Sequence, residues 1–187
     1  MKKVIISALI VLGLTGSAFA AGFVGGEYEF EKSRKSNDTA NTVEFFAGYK
    51  FQNNVKVDVK FEGTQAVQSK EIDNILEARA KFEQLIYGPL KLNLRVSVGE
   101  HFTQAGNFPF YTIEPGLQLA ANDKLGLNAS YRYRNAFDEV KYKWETLTFN
   151  VGPYYKVTAN DEVGVKYFRK TSDDQTEGFK VGYTHSF

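Results

Sequence analysis

The sequence predicts an all-β fold: a transmembrane, antiparallel, up-and-down β-barrel of about ten strands, within a range of eight to twelve. Three observations carry that prediction. After residue 20 the chain divides almost wholly into strand-length segments that alternate apolar or aromatic residues with polar ones. The connections alternate between tight Asn/Asp turns and longer polar loops. Aromatic residues reach 15%, although the mean hydropathy is −0.35. Side chains alternate across a strand with period two. A barrel in lipid therefore gives half of each strand to hydrocarbon and half to a polar lumen. No stretch after Ala20 approaches the roughly 20 apolar residues of a helical span.

Each strand is read from its own alternation. The first sets Val24, Gly26, Tyr28 and Phe30 outward against Gly25, Glu27, Glu29 and Glu31. The second sets Val43 to Phe51 against Glu44, Phe46, Gly48 and Lys50. The third is the cleanest, with Val55, Val57, Val59 and Phe61 against Lys56, Asp58, Lys60 and Glu62. The fourth sets Leu76, Ala78, Ala80 and Phe82 against Glu77, Arg79, Lys81 and Glu83. Ala, Glu, Lys and Leu also favour a helix over residues 71–85, but the period-two charges favour a strand. The fifth runs Leu90 to Gly99 and the sixth Tyr111 to Leu119. The seventh, Leu125 to Arg134, turns Asn128, Ser130, Arg132 and Arg134 inward. The eighth runs Leu147 to Tyr155 and the ninth Val163 to Phe168. The tenth turns Phe179, Val181, Tyr183, His185 and Phe187 outward.

Tight turns fall at residues 52–54, 85–89, 121–123 and 159–161, where Asn and Asp suit short reversals. Longer loops are expected at 32–41, 63–73, 100–107, 135–141 and 169–177. The tight turns recur at about 35 residues, and Ala121-Asn-Asp-Lys-Leu-Gly-Leu127 is repeated as Ala159-Asn-Asp-Glu-Val-Gly-Val165. An even strand count puts both ends of the barrel on one rim, the periplasmic one. Pro115 and Pro153 lie inside strands, where a missing N–H predicts bulges or kinks and leaves the register beyond them open. Outward aromatics form two girdles: Tyr49, Phe51, Tyr155 and Phe187 near the periplasmic rim, and Tyr28, Phe30, Phe61, Tyr133, Trp144 and Phe179 near the other. A soluble lipid-binding barrel would invert the two faces. The leader and the girdles favour the membrane.

That leader is residues 1–20. Lys2 and Lys3 precede the apolar run Val4 to Leu14, and Ala18-Phe19-Ala20 is an A-x-A cleavage site. This is the tripartite pattern of a secretory signal peptide, with an apolar core too short to span a bilayer. Residues 21–187 are then the mature barrel, destined for the outer membrane of a Gram-negative envelope. Its last nine residues resemble the terminal signal of outer-membrane barrels, and the resemblance assigns Tyr183 and Phe187 to recognition by the barrel-assembly machinery.

Composition narrows the function. There is no cysteine, and only two histidines. Without Lys2 and Lys3, 21 bases face 22 acids, so no basic excess calls for nucleic acid. No spacing suits zinc or calcium, and no cofactor is implied. Outer-membrane lipid is the expected surrounding. Catalysis is not expected: His185 faces outward, and His101 falls in a solvated loop. A hydrolase would need His101 to meet an acid such as Asp138 or Asp173.

The inward face carries the chemistry. Its acids include Glu27, Glu29, Glu31, Glu44, Glu77 and Glu114; its bases include Arg79, Arg95, Arg132, Arg134, Lys156, Lys166 and Lys180. Charges in a dry core must pair or meet water. Strands three and four can pair rung by rung, which predicts a closed, salt-bridged barrel of structural or adhesive role. Strands seven to ten turn no acid inward and present Arg132, Arg134, Lys156, Lys166 and Lys180 among small polar residues. That wall predicts a narrow, water-filled channel that favours anions.

The stretch Tyr111 to Arg134, ending Tyr131-Arg-Tyr-Arg134, resembles the oligogalacturonate-specific porins, as does the general pattern of leader, repeated hairpins and aromatic end. The resemblance implies ion or carbohydrate transport, with small anionic solutes or acidic oligosaccharides passing arginines along the wall. Arg132 and Arg134 match such positions, with Arg79 and Arg95 as further candidates. The chain departs from the family in having about ten strands rather than twelve, and in its many inward glutamates.

Overall fold

The structure is a computed structural model and describes residues 20–36, 38–52, 54–172 and 175–187. Ten antiparallel strands follow one another as hairpins: β1 (Ala20–Ser33), β2 (Thr39–Phe51), β3 (Val55–Ala66), β4 (Ile72–Tyr87), β5 (Leu90–Thr103), β6 (Gly106–Ala120), β7 (Leu125–Ala136), β8 (Glu145–Lys156), β9 (Asp161–Thr171) and β10 (Thr176–Ser186). A single turn of helix, α1 (Glu139–Tyr142), lies between β7 and β8. Strand β1 pairs with β10 from Phe23↔Ser186 to Ser33↔Thr176, which closes the barrel. Closure leaves no free edge. The fold is a closed transmembrane up-and-down barrel, as expected. Of the expected leader only Ala20 lies among the described residues, where it begins β1. Asn37, Asn53 and Asp173 fall outside them.

The faces follow the alternation. Phe45 is 63% exposed and Tyr28, Phe61, Leu94 and Val181 are also open on the outside, while Glu29, Glu44, Asp58, Lys60 and Glu77 are buried within. Residues 71–85 are strand, not helix: β4 pairs with β3 from Val55↔Phe82 to Gln65↔Ile72. The lipid-facing alternation of β4 outweighs its helix propensity, because the barrel supplies every backbone partner.

The four tight turns mark one rim, here termed the terminal rim because β1 begins and β10 ends there. Asn122 builds its turn by accepting from the Lys124 and Leu125 amides at 2.9 and 2.8 Å. Thr158 does the same for Asn160 and Asp161. Gly88 takes φ +50, a left-handed geometry that favours glycine, beside a register shift in the ladder at Leu85/Tyr87.

The opposite, loop rim differs from expectation. Its connections other than that between β7 and β8 are shorter because the strands run on. Most marked is 100–107, where β5 continues to Thr103 and β6 restarts at Gly106, so the expected loop is a two-residue turn. The prolines also differ. Register is unbroken across Pro115, with Ile113↔Tyr133 before and Gly116↔Ser130 after; the pairs between are absent. Across Pro153, Val151↔Tyr167 and Tyr154↔Gly164 keep one register in the same way. A residue in an antiparallel strand bonds to one neighbour only. Each proline turns its missing donor toward one side and pairs normally on the other, as Leu94↔Pro115 and Leu127↔Pro153 show.

Candidate functional site in the lumen

The inward face is arranged in three levels. At mid-height, side chains from both sides of the barrel meet in a belt. Lys60 of β3 reaches Glu62 at 2.6 Å, Glu77 at 3.0 Å and Glu44 at 3.7 Å. From the far wall, Arg134 of β7 reaches Glu77 at 3.1 Å and Glu62 at 3.4 Å. Lys180 of β10 pairs with Glu29 and lies 3.6 Å from Glu44. Ser97 and Thr112 donate to Glu77, the latter at 3.0 Å. Lys60 and Glu77 are each 1% exposed. These charges are removed from water, so the network stands only because every member has a partner.

Two phenylalanines complete the belt. Phe110 of β6 lies beside Arg134, whose guanidinium is 5.5 Å from the ring centre, and Phe168 of β9 lies 5.0 Å from the Lys180 ammonium. Both rings are fully buried. A Cβ at Gly99 would sit 2.6 Å from the Phe110 ring, and one at Gly178 would sit 2.9 Å from that of Phe168. Glycine at these two places lets each ring lie against the neighbouring strand.

Below the belt a cavity of about 550 Å³ reaches the terminal rim. Its acids are mostly matched: Glu27 with Lys166 at 2.7 Å, Glu114 with Arg95 at 3.0 Å, Asp58 with Arg79, and Glu83 with Lys56 and Lys81. Ser130 also donates to Glu114 at 2.7 Å. Lys50, Lys91, Arg132 and Lys156 line the same cavity with no carboxylate within 4 Å among the described residues. Above the belt a second cavity of about 310 Å³ is lined by Glu31, Glu62, Asp73, His101, Arg134 and Lys170, among others. Glu31 pairs with Lys170 at 2.8 Å. Arg132 lines both cavities, and its buried Nε has no hydrogen-bond partner.

The predicted lumen residues therefore all face inward, but not as one basic wall. Arg134 is compensated from across the lumen by Glu62 and Glu77, while Lys166 and Lys180 are compensated across the closing seam by Glu27 and Glu29 of β1, with Glu44 of β2 beside Lys180. Among the described residues, Arg132 and Lys156 of that wall have no carboxylate within 4 Å. Alternation already turned Lys50, Lys60, Glu62 and Lys91 inward; what it missed is Phe110 and the meeting of these charges with Arg134 in one belt. Of the terminal residues, Tyr183 faces outward and donates to Asp161 at 2.6 Å, and Phe187 is exposed with its amide bonded to the Gly22 carbonyl at 2.8 Å.

Two aromatic expectations are corrected at the loop rim. His101 is in β5 rather than a solvated loop. It is buried between Phe108 and Trp144, each 4.9 Å away, and 3.8 Å from Asp73 rather than beside Asp138. Trp144 faces the lumen rather than lipid. It contacts Phe108 and Phe110 as well as His101, and Tyr142 stacks on Phe108 at 4.6 Å. Asp138 caps α1 and folds this segment over the mouth. Since Trp144 is the sole tryptophan, fluorescence can check its side. Lipids brominated along the chain should leave its emission nearly unchanged, whereas an outward tryptophan would be strongly quenched.

No family model matches the sequence, and no curated protein matches it. Solved structures do. A KdgM porin in complex with disordered oligogalacturonate is 15% identical, with a TM-score of 0.53, covering 88% of this chain and 99% of its own. An outer-membrane channel from Pseudomonas putida F1 is 10% identical, with a TM-score of 0.60, covering 91% and 96%. The β domain of the Bordetella autotransporter BrkA is 7% identical, with a TM-score of 0.58, covering 91% and 100%. At these identities the likeness is one of fold: that of outer-membrane barrels.

Proposed function

We propose that the protein is a narrow outer-membrane channel for small anionic solutes, delivered through a leader at residues 1–20 and assembled by machinery that reads Tyr183 and Phe187. The terminal rim is then periplasmic and the loop rim extracellular. One observation carries the reading: two polar cavities meet at Arg132, a cation without a carboxylate partner. Lys50, Lys91 and Lys156 extend the same uncompensated charge toward the periplasm. A barrel of eight strands fills with side chains and one of sixteen leaves a channel; ten leave the partly filled lumen described above. Similarity to a porin that holds oligogalacturonate supports an anionic solute and, more narrowly, an acidic oligosaccharide.

The test is a planar-bilayer recording of the refolded barrel in a salt gradient. Wild-type protein should give conductance steps with an anion-favouring reversal potential. A monovalent anion 4 Å from Arg132 gains about 1 kcal/mol in water-like surroundings. Arg132→Glu with Lys156→Glu should therefore swing the anion-to-cation ratio by roughly tenfold toward cations, less at high salt, where screening shortens to about 3 Å. The same reversal at the compensated Arg134 would instead disturb the belt.

The belt favours a second reading, a closed structural or adhesion barrel, because Lys60, Glu77, Phe110 and Phe168 leave the middle dry. Absence of conductance steps from well-folded protein would select it. The remote hydrolase reading would rest on His101, which packs between Phe108 and Trp144 and lies 3.8 Å from Asp73 rather than beside Asp138.

A further inference from the structure

The outer surface carries its charge unevenly at the extracellular rim. On β1, β10 and β9 the last aromatic row is Phe30↔Phe179↔Tyr167. Such rows mark the membrane–water interface. Two residues further on, about 7 Å along the strands, the next outward row is Lys32↔Glu177↔Arg169. Arg34 joins it from the end of β1, with Nε 3.9 Å from Glu177. Tyr167 donates to the same carboxylate at 3.0 Å. One carboxylate thus sits at the centre, held from two sides, with three exposed or rim-lying cations around it. Neighbouring strands are about 4.8 Å apart, so Lys32 and Arg169 flank the centre about 10 Å from each other. The row ends on both sides, since the ladder partner of Lys32 on β2 is Thr39 and that of Arg169 on β8 is Phe149.

We propose that this patch binds the phosphate monoester of an outer-leaflet lipid headgroup. Three cations less one carboxylate leave a local charge of +2. A phosphate monoester carries about −1.5 to −2 near neutral pH. Guanidinium groups match its oxygens in paired hydrogen bonds, and Glu177 with Tyr167 orients Arg34 for that purpose. The apolar row below gives the acyl chains a surface to lie on, which a free anion would not use. This site lies outside the barrel and is independent of whether the lumen conducts.

The test uses the full barrel in non-ionic detergent, titrated with short-chain phosphatidic acid or with diacylglycerol of the same chains and read by native mass spectrometry. Phosphatidic acid should add to the wild type at one preferred site, and diacylglycerol should not. Arg34→Gln with Arg169→Gln should bind it roughly tenfold more weakly. Lys70→Gln with Lys141→Gln, which removes two cations from the same rim, should leave binding unchanged. Retained heat-modifiability on gels shows that each variant is folded. Equal losses in the two variants would overturn the proposal in favour of diffuse attraction. So would displacement of the lipid by inorganic phosphate at equal concentration, since the patch would then be a phosphate site without lipid character. Unchanged binding in the arginine variant would overturn it outright.

Discussion

Arginine at Val57 or Leu94 should block assembly of the barrel, whereas arginine at Ser130 should be accepted. Leu94 lies open on the outside near mid-height of β5, and Val57 shares the outward face of β3. A charge on the lipid face at the midplane costs about 2 to 4 kcal/mol. That is a large share of the net stability of a domain of this size. Ser130 of β7 borders the lower cavity and already donates to Glu114, so a guanidinium there meets water and a carboxylate. Refolding into vesicles, followed by the shift in gel mobility between heated and unheated samples, measures the effect. Should Ser130→Arg fold worst of the three, the inside and outside assigned to every strand would be reversed.

Those two faces were legible because lipid and lumen make opposite demands on successive residues. In β3, Val55 to Phe61 and Lys56 to Glu62 can be sorted by eye, and the ladder places them as sorted. The same logic fails above the lipid. There the outside is water, so Glu100 and Pro109 face out while His101, Phe108 and Phe110 face in. The polarity of the alternation inverts, and a continuing strand reads as a loop. Trp144 misleads for the same reason, since an aromatic beside a strand end resembles a girdle residue until α1 folds it over the mouth. The charge pairing was half legible. Lys60↔Glu77 and Asp58↔Arg79 are ladder neighbours and follow from strand order. The pairs of Arg134 with Glu62 and of Lys166 with Glu27 span 72 and 139 residues. The first depends on strand tilt and lumen width and the second on closure of β1 against β10, which no local alternation contains. The basic wall was therefore read as bare when β1 beside it and β3 and β4 across the lumen compensate most of it.

The belt itself provides the second large effect. Lys60→Met should lower stability by about 3 to 5 kcal/mol, the usual cost of leaving a buried charge without its partner. Methionine keeps the volume, but it leaves Glu44, Glu62 and Glu77 crowded around a position that held their shared cation. Arg134 and Lys180 then face more carboxylate than they can neutralise. Adding Glu77→Gln to Lys60→Met removes one of those charges and keeps the acceptor for Thr112, so the double variant should recover part of the loss. Lys91→Met, at a cation with no carboxylate in reach, should change stability by less than about 1 kcal/mol. Reversible urea unfolding in vesicles, followed through Trp144, separates the three. The same variants bear on the lumen. If the belt is what restrains flow between the cavities, Lys60→Met should conduct more often than the wild type under conditions where both stay folded. A Lys60→Met barrel as stable as the wild type would mean that the belt is wet and its ions exchange partners freely, and the dry barrier at mid-height would have to be withdrawn.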